Sequence, residues 1–245
     1  MNEGHFQVFG GSHLAVIGMV LVVTIGWLKW LRRVGVGSTS ERVLGNWVAG
    51  VLVASVALDP MVEWLRWADH GGGWVWMRVH QNAWPMQFCD FAAIFCAIGL
   101  VTRGRVMAEL GYYWGLTGTL QGFLTPALEY DFPSCDFFIF FAQHGTVPMV
   151  AVVMVCGMGL RPRGGSWKLA SGCGIVFLLV AGAFNAGMNA MVKGLDANYG
   201  FVCHKPGTGS ILDVLGPWPW YLVRLLHIGY IAESHLRMTN REVDR

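Results

Sequence analysis

Apolar stretches of about 20 residues recur along the whole chain, and that length is what a helix needs to cross the hydrocarbon core of a bilayer. Of the 245 residues, 54% are hydrophobic and only 13% are charged, where a soluble domain carries about a quarter. A single soluble α/β domain would suit the length, but the charge deficit and 12 Trp argue against it. The reading is an all-α polytopic membrane bundle. The net charge of +2 and the lack of a basic run exclude nucleic-acid binding. Asn2, Glu3, Gly4 and His5 form no basic n-region, so the first span is expected to be retained.

Seven spans are predicted, at about 12–31, 43–65, 84–101, 106–124, 137–159, 167–192 and 217–236. No linker or composition shift divides them, so the chain reads as one domain. Cations set the orientation. Lys29, Arg32, Arg33, Arg42, Arg103, Arg105, Arg161, Arg163, Lys168, Arg237, Arg241 and Arg245 follow the odd-numbered spans. Arg66, Arg78, Lys193 and Lys205 lie on the other side. The positive-inside rule then places the N-terminus outside and the C-terminus in the cytoplasm. The expected location is the cell (inner) membrane, with lipids as partners.

Trp84–Cys96 reads as the start of the third span, with Pro85 in its first turn. Gln87, Cys89 and Asp90 follow, and a carboxylate there must be neutralised or paired, which makes it a functional hypothesis. Other spans bring polar residues to the same depth: Asp59 and Glu63, Gln121, Gln143 and His144, Asn185 and Asn189, and Arg224 with His227. All lie within about ten residues of the outer end, or about 15 Å. A polar cavity in the outer half of the bundle is expected. Each residue also has a plainer reading. Asn and Gln can be interhelical glue, and Asp59 and Glu63 can be solvated at the headgroups. Asp90 and Arg224 can form a buried ion pair, or Arg224 can hold a phosphate or carboxylate. His144 is either a satisfied core histidine or a general base, and Pro148, four residues on, predicts a kink there.

Gly111, Gly115, Gly118 and Gly122 line one face of the fourth span and should let neighbours approach closely. The six cysteines show no CxxC or Cys/His spacing, so no metal and no cofactor are expected. Cys96, Cys156 and Cys173 read as packing. Cys135 and Cys203 fall in outer loops, where a disulfide is permitted but not required. Cys89 lies near a helix N-terminus beside polar groups, a setting that can favour thiolate.

The segment 113–126 (YWGLTGTLQGFLTP) resembles YwaF-type bacterial membrane proteins, relatives of transmembrane protein 164. So do Asn198-Tyr199, Cys203, Lys205-Pro206, Ser210, Leu212-Asp213 and the run 215–221 (LGPWPWY). Cys89-Asp90 and His144-Gly145 fit the same pattern, and Gln87 stands where the bacterial pattern often has His. The resemblance implies a polytopic fold and, for part of the family, a cysteine acyltransferase acting on phospholipids. Carried over by position, Cys89 would be the nucleophile. Three readings are open, the last of them a structural membrane protein with no ligand. In the first, Cys89 attacks an acyl ester, His144 moves the proton, Gln121 or Asn185 donates to the oxyanion, and Arg224, near Asp90, holds the lipid phosphate. In the second, a transporter or receptor uses the same layer to bind a small solute. The seventh span holds Arg224 but no lysine, which argues against a retinal Schiff base.

Overall fold

Backbone rules place the helix boundaries. A computed structural model describes residues 5–68, 71–205 and 213–224. Helix α1 (Gly11–Val34) stops at Gly35, whose φ of 81° a side chain would resist. Ser38 caps α2 (Thr39–Trp67) by accepting from the Glu41 N–H. Next come α3 (Gly72–Asn82), α4 (Phe88–Thr102) and α5 (Arg105–Trp114). A π-helical turn (Gly115–Thr119) joins α5 to α6 (Leu120–Leu124) without a break. Ser134 caps α7 (Cys135–Val152), which continues as a second π turn (Val153–Gly157). Helix α8 (Ser166–Met191) follows. There is no strand among the described residues, only an isolated bridge between His5 and Tyr130.

Four helices are long and apolar enough to cross a membrane: Gly11–Val34, Thr39–Leu65, Cys135–Gly157 and Ser166–Met191. Their outward faces confirm the solvent. Val22, Leu179 and Val176 are 70%, 69% and 59% exposed, which suits lipid and not water. The expected third span is the shorter apolar helix α4. Its 15 residues rise about 22 Å, short of a hydrocarbon core of about 30 Å. It begins at Phe88 rather than Trp84, because Asp90 Oδ2 accepts from the Gln87 N–H at 2.8 Å and caps the helix there. The predicted fourth span is the composite of α5, the π turn and α6. The predicted seventh begins at residues 217–224, and the rest of it, His227 included, lies outside the described residues. Helix α3 falls where a loop was expected. Its 11 residues are amphipathic and leave no long apolar run in the sequence, and its Trp76 and His80 stack in a row with Trp84 just beyond its end.

Helix α4 is the central element and packs against α2, α5 and α7. Small side chains make this possible: Ala92, Ala93 and Cys96 are fully buried. The glycine face of the composite helix fills the groove between α4 and α7. A Cβ on Gly111 would lie 2.8 Å from Cys96 Sγ on α4, and one on Gly115 would lie 3.0 Å from Val147 Cγ1 on α7. At the opposite end, two buried glutamates are each held by an arginine that the charge pattern had counted only for orientation. Glu41 accepts from Arg103 Nη2, and Glu109 accepts from Arg163 Nε and Nη2 at 2.8 and 2.7 Å. All six cysteines are free thiols, so the permitted Cys135–Cys203 disulfide does not form.

The groove can be tested through its glycines. Gly111→Ala forces a Cβ into Cys96 and should destabilise the protein by about 1–3 kcal/mol. Gly172→Ala meets nothing within 4 Å and should be neutral or stabilising by up to about 1 kcal/mol. Thermal unfolding of the detergent-purified variants measures both, and equal effects would contradict the packing described.

Candidate functional site

The capped start of α4 places Cys89 in the first helical turn, closer to the helix N-terminus than the sequence suggested. Thr119, in the π turn, stands beside the Cys89 thiol without meeting full hydrogen-bond geometry, and its Oγ1 is buried and unpartnered. π turns interrupt a helix's own bonding and recur at functional sites. The ring of Phe88 fills the space that Gly118 leaves open, where a Cβ would lie 2.4 Å from Phe88 Cδ1.

Helix α7 brings in His144. Its Nδ1 lies 3.0 Å from the Phe140 carbonyl oxygen, which can only accept, so Nδ1 carries the proton and Nε2 the lone pair. The imidazole stacks on the Phe140 ring, with centroids 3.9 Å apart. Nε2 packs on Gly122, where a Cβ would be 3.2 Å away. Thr119 beside Cys89 and Gly122 beside His144 are three residues apart on one helical segment, about 4.5 Å of rise. The thiol and the imidazole therefore face the composite helix less than one turn apart along its axis.

Both residues line one cavity of about 200 Å³, together with Gln121. The rest of its wall is mostly aromatic or small: Trp114, Trp167, Ala170, Gly174, Phe177 and Tyr221 contribute. The cavity is thus far more apolar than the polar layer predicted. The reason is that most of the polar layer is bonded within the protein. Asp90 Oδ1 accepts from Gln143 Nε2 at 2.8 Å. Asn185 donates to the Tyr199 carbonyl and accepts from the Tyr199 N–H, at 3.0 and 2.9 Å. Asn189 does the same for Ala197, at 3.2 and 2.7 Å. These two amides hold the segment that carries Gly200 and Phe201 against the cavity. Burial raises the Tyr199 phenol above its ordinary pKa. As a neutral group it donates to the His80 carbonyl and accepts from the Trp84 N–H.

Of the expected site residues, Cys89, His144 and Gln121 come together. Gln121 makes no side-chain hydrogen bond among the described residues. Asp90 and Asn185 do not line the cavity, because their polar atoms tie α4 to α7 and α8 to the 197–201 segment. The expected Asp90–Arg224 ion pair is absent. Arg224 is exposed and donates to the Leu215 carbonyl at 2.8 Å, its guanidinium lying against Gly216. The sequence placed Gln87 in the polar layer and Tyr221 in a motif but gave neither a partner: Gln87 Oε1 accepts from the Gly200 N–H at 2.9 Å, and Tyr221, fully buried, donates to the Phe201 carbonyl. The i, i+4 spacing of Asn185 and Asn189 was visible. Its partners were not, since backbone groups leave no mark in a sequence.

A family model described as the TMEM164 family matches residues 8–233. The chain belongs to the TMEM164 family. No curated protein sequence and no solved structure matches it. The TMEM164 match takes in α1 to α8 and every residue that lines the cavity. With the long apolar helices, membership makes this an integral membrane protein in contact with lipids.

Proposed function

We propose that this protein is a cysteine-dependent acyltransferase acting on membrane phospholipids. One observation carries the reading: Cys89, His144 and Gln121 line a single cavity whose other walls are mostly apolar, with Gln87, Thr117, Thr125 and Ser171 the remaining polar residues apart from its tyrosines. An ester of a fatty acid needs that combination, a reactive polar end and a greasy wall for the chain. A small polar solute needs more convergent polar groups than this cavity offers, which is why the transporter or receptor reading is not favoured.

The chemistry follows from the tautomer. His144 Nε2, with its lone pair, takes the thiol proton from Cys89, and Sγ attacks the ester carbonyl carbon. Gln121 can turn its side-chain amide to donate to the oxyanion. Collapse breaks the C–O bond, and protonated His144 returns the proton to the leaving alkoxide, releasing a lysolipid and leaving a thioester on Cys89. An acceptor hydroxyl then attacks the thioester with His144 again as base. Arg224 remains the candidate for the lipid phosphate. It is exposed beside Tyr221 and Leu222 of the cavity wall, and only one of its nitrogens is bonded to Leu215. Asp90 and Asn185 are left out, since their bonds are internal.

Cys89→Ser and His144→Asn should each lower acyl transfer between phospholipids by about 10²-fold or more, and the double change should add little, because residues that act as a unit are non-additive. Turnover of labelled phospholipid in vesicles, beside a folding control, measures this. Full activity in Cys89→Ser would remove the reading.

The same proposal places seven spans in the membrane, α4 and the composite helix included, with the N-terminus outside and the cavity in the outer half. Tags before α1 should then be accessible to an impermeant reagent on intact cells, and tags at the C-terminus should not. Both ends on one side would remove the seven-span arrangement.

A further inference from the structure

The residue that follows Cys89 is hydrogen-bonded to the residue that precedes His144. Asp90 Oδ1 accepts from Gln143 Nε2 at 2.8 Å, and Asp90 Oδ2 accepts from the Gln87 N–H at 2.8 Å. The two side chains are only 9% and 7% exposed, and neither lines the cavity. They therefore cannot act on a substrate. Around them α4 meets α7 mainly through small or aliphatic groups, and the Cys96 thiol adds only a weak, long hydrogen bond to the Val147 carbonyl, at 3.9 Å. Apolar packing of this kind is non-directional and fixes rotation about a helix axis poorly, whereas a buried hydrogen bond has a preferred direction and is unfavourable to break.

We infer that the Asp90–Gln143 hydrogen bond is a positioning clamp that sets how Cys89 Sγ and His144 Nε2 face each other. The inference rests on the acyl-transfer reading of the same cavity. One carboxylate fixes two things. Its Oδ2 decides where α4 begins, which puts Cys89 in the first turn. Its Oδ1 decides which way α4 turns toward α7. Because Asp90 and Gln143 are the chain neighbours of the reacting pair, a rotation of α4 that carried Cys89 out of the cavity would break the clamp first. The clamp acts through geometry and not through charge, so an amide at position 90 should serve nearly as well. It can still accept from Gln87 N–H and can donate to Gln143 Oε1 once that side chain turns over.

The test uses the full-length protein in phospholipid vesicles and compares Asp90→Leu, Gln143→Leu, Asp90→Asn and the exchanged pair Asp90→Asn with Gln143→Glu. Asp90→Leu and Gln143→Leu should each lower kcat by about 10²-fold with KM within about threefold, the signature of misplaced reacting groups. Asp90→Asn and the exchanged pair should stay within about tenfold of the parent. Unchanged kcat in a folded Gln143→Leu overturns the clamp, and so does an Asp90→Asn as inactive as Asp90→Leu. If Asp90→Leu does not fold, Gln143→Leu still decides, because it leaves the α4 cap intact. The pH profile of maleimide labelling at Cys89 separates the two readings. Should Cys89→Ser keep its turnover, acyl transfer fails, and the clamp is judged on labelling alone. Gln143→Leu should shift that profile as His144 turns away from the thiol, and an unshifted profile overturns it.

Discussion

A polar group inside a membrane-embedded bundle has no water to fall back on, so the protein itself must satisfy it. The interior of this fold is organised around that constraint. Asp90 serves Gln87 and Gln143, and Asn185 and Asn189 grip the backbone of Tyr199 and Ala197. Glu41 and Glu109 hold Arg103 and Arg163. His13, fully buried, accepts from the Phe9 N–H and donates to the Phe123 carbonyl. Against this background the groups at the cavity differ. Cys89, Gln121 and His144 Nε2 have no strong partner within the described protein, and all three residues line the same cavity of about 200 Å³. At the candidate site internal satisfaction stops, although Trp27 Nε1, away from the cavity, is also buried without a hydrogen-bond partner.

The space for that site comes from two departures from an ideal bundle. Helix α4 is short for a membrane span, and its N-terminal end is covered by the 197–201 segment through the Gln87–Gly200 and Trp84–Tyr199 hydrogen bonds. The composite helix opposite carries a π turn and glycines at 118 and 122, which leave room for Phe88 and His144. A straight helix with side chains at those positions would close the cavity.

The recurrence of long apolar runs made the all-α membrane class legible, and the motifs at 113–126 and 215–221 made the family legible. Both depend only on local composition. Cys89, His144 and Gln121 were legible because a polar residue in an apolar run stands out one at a time. Which polar residues partner which was not legible. Asp90 and Arg224 looked like a pair because they are the opposite charges nearest one depth, yet a neutral amide next in chain to His144 took the carboxylate. Depth along a helix can be counted from a sequence, whereas rotation about the axis depends on packing. The same gap hid α3, whose apolar residues cover one face only, and the roles of Gln87 and Gln143, whose partners lie on other elements.

The central claim is that Cys89 carries an acyl group during turnover. Intact-protein mass spectrometry, after rapid quenching of the detergent-purified protein with a phospholipid of defined chains, tests it most directly. The account predicts a mass increase equal to one acyl chain, removable by hydroxylamine and mapped to the peptide that contains Cys89. A quenched protein that turns over lipid yet carries no adduct on Cys89, or carries it on another residue, would contradict the account.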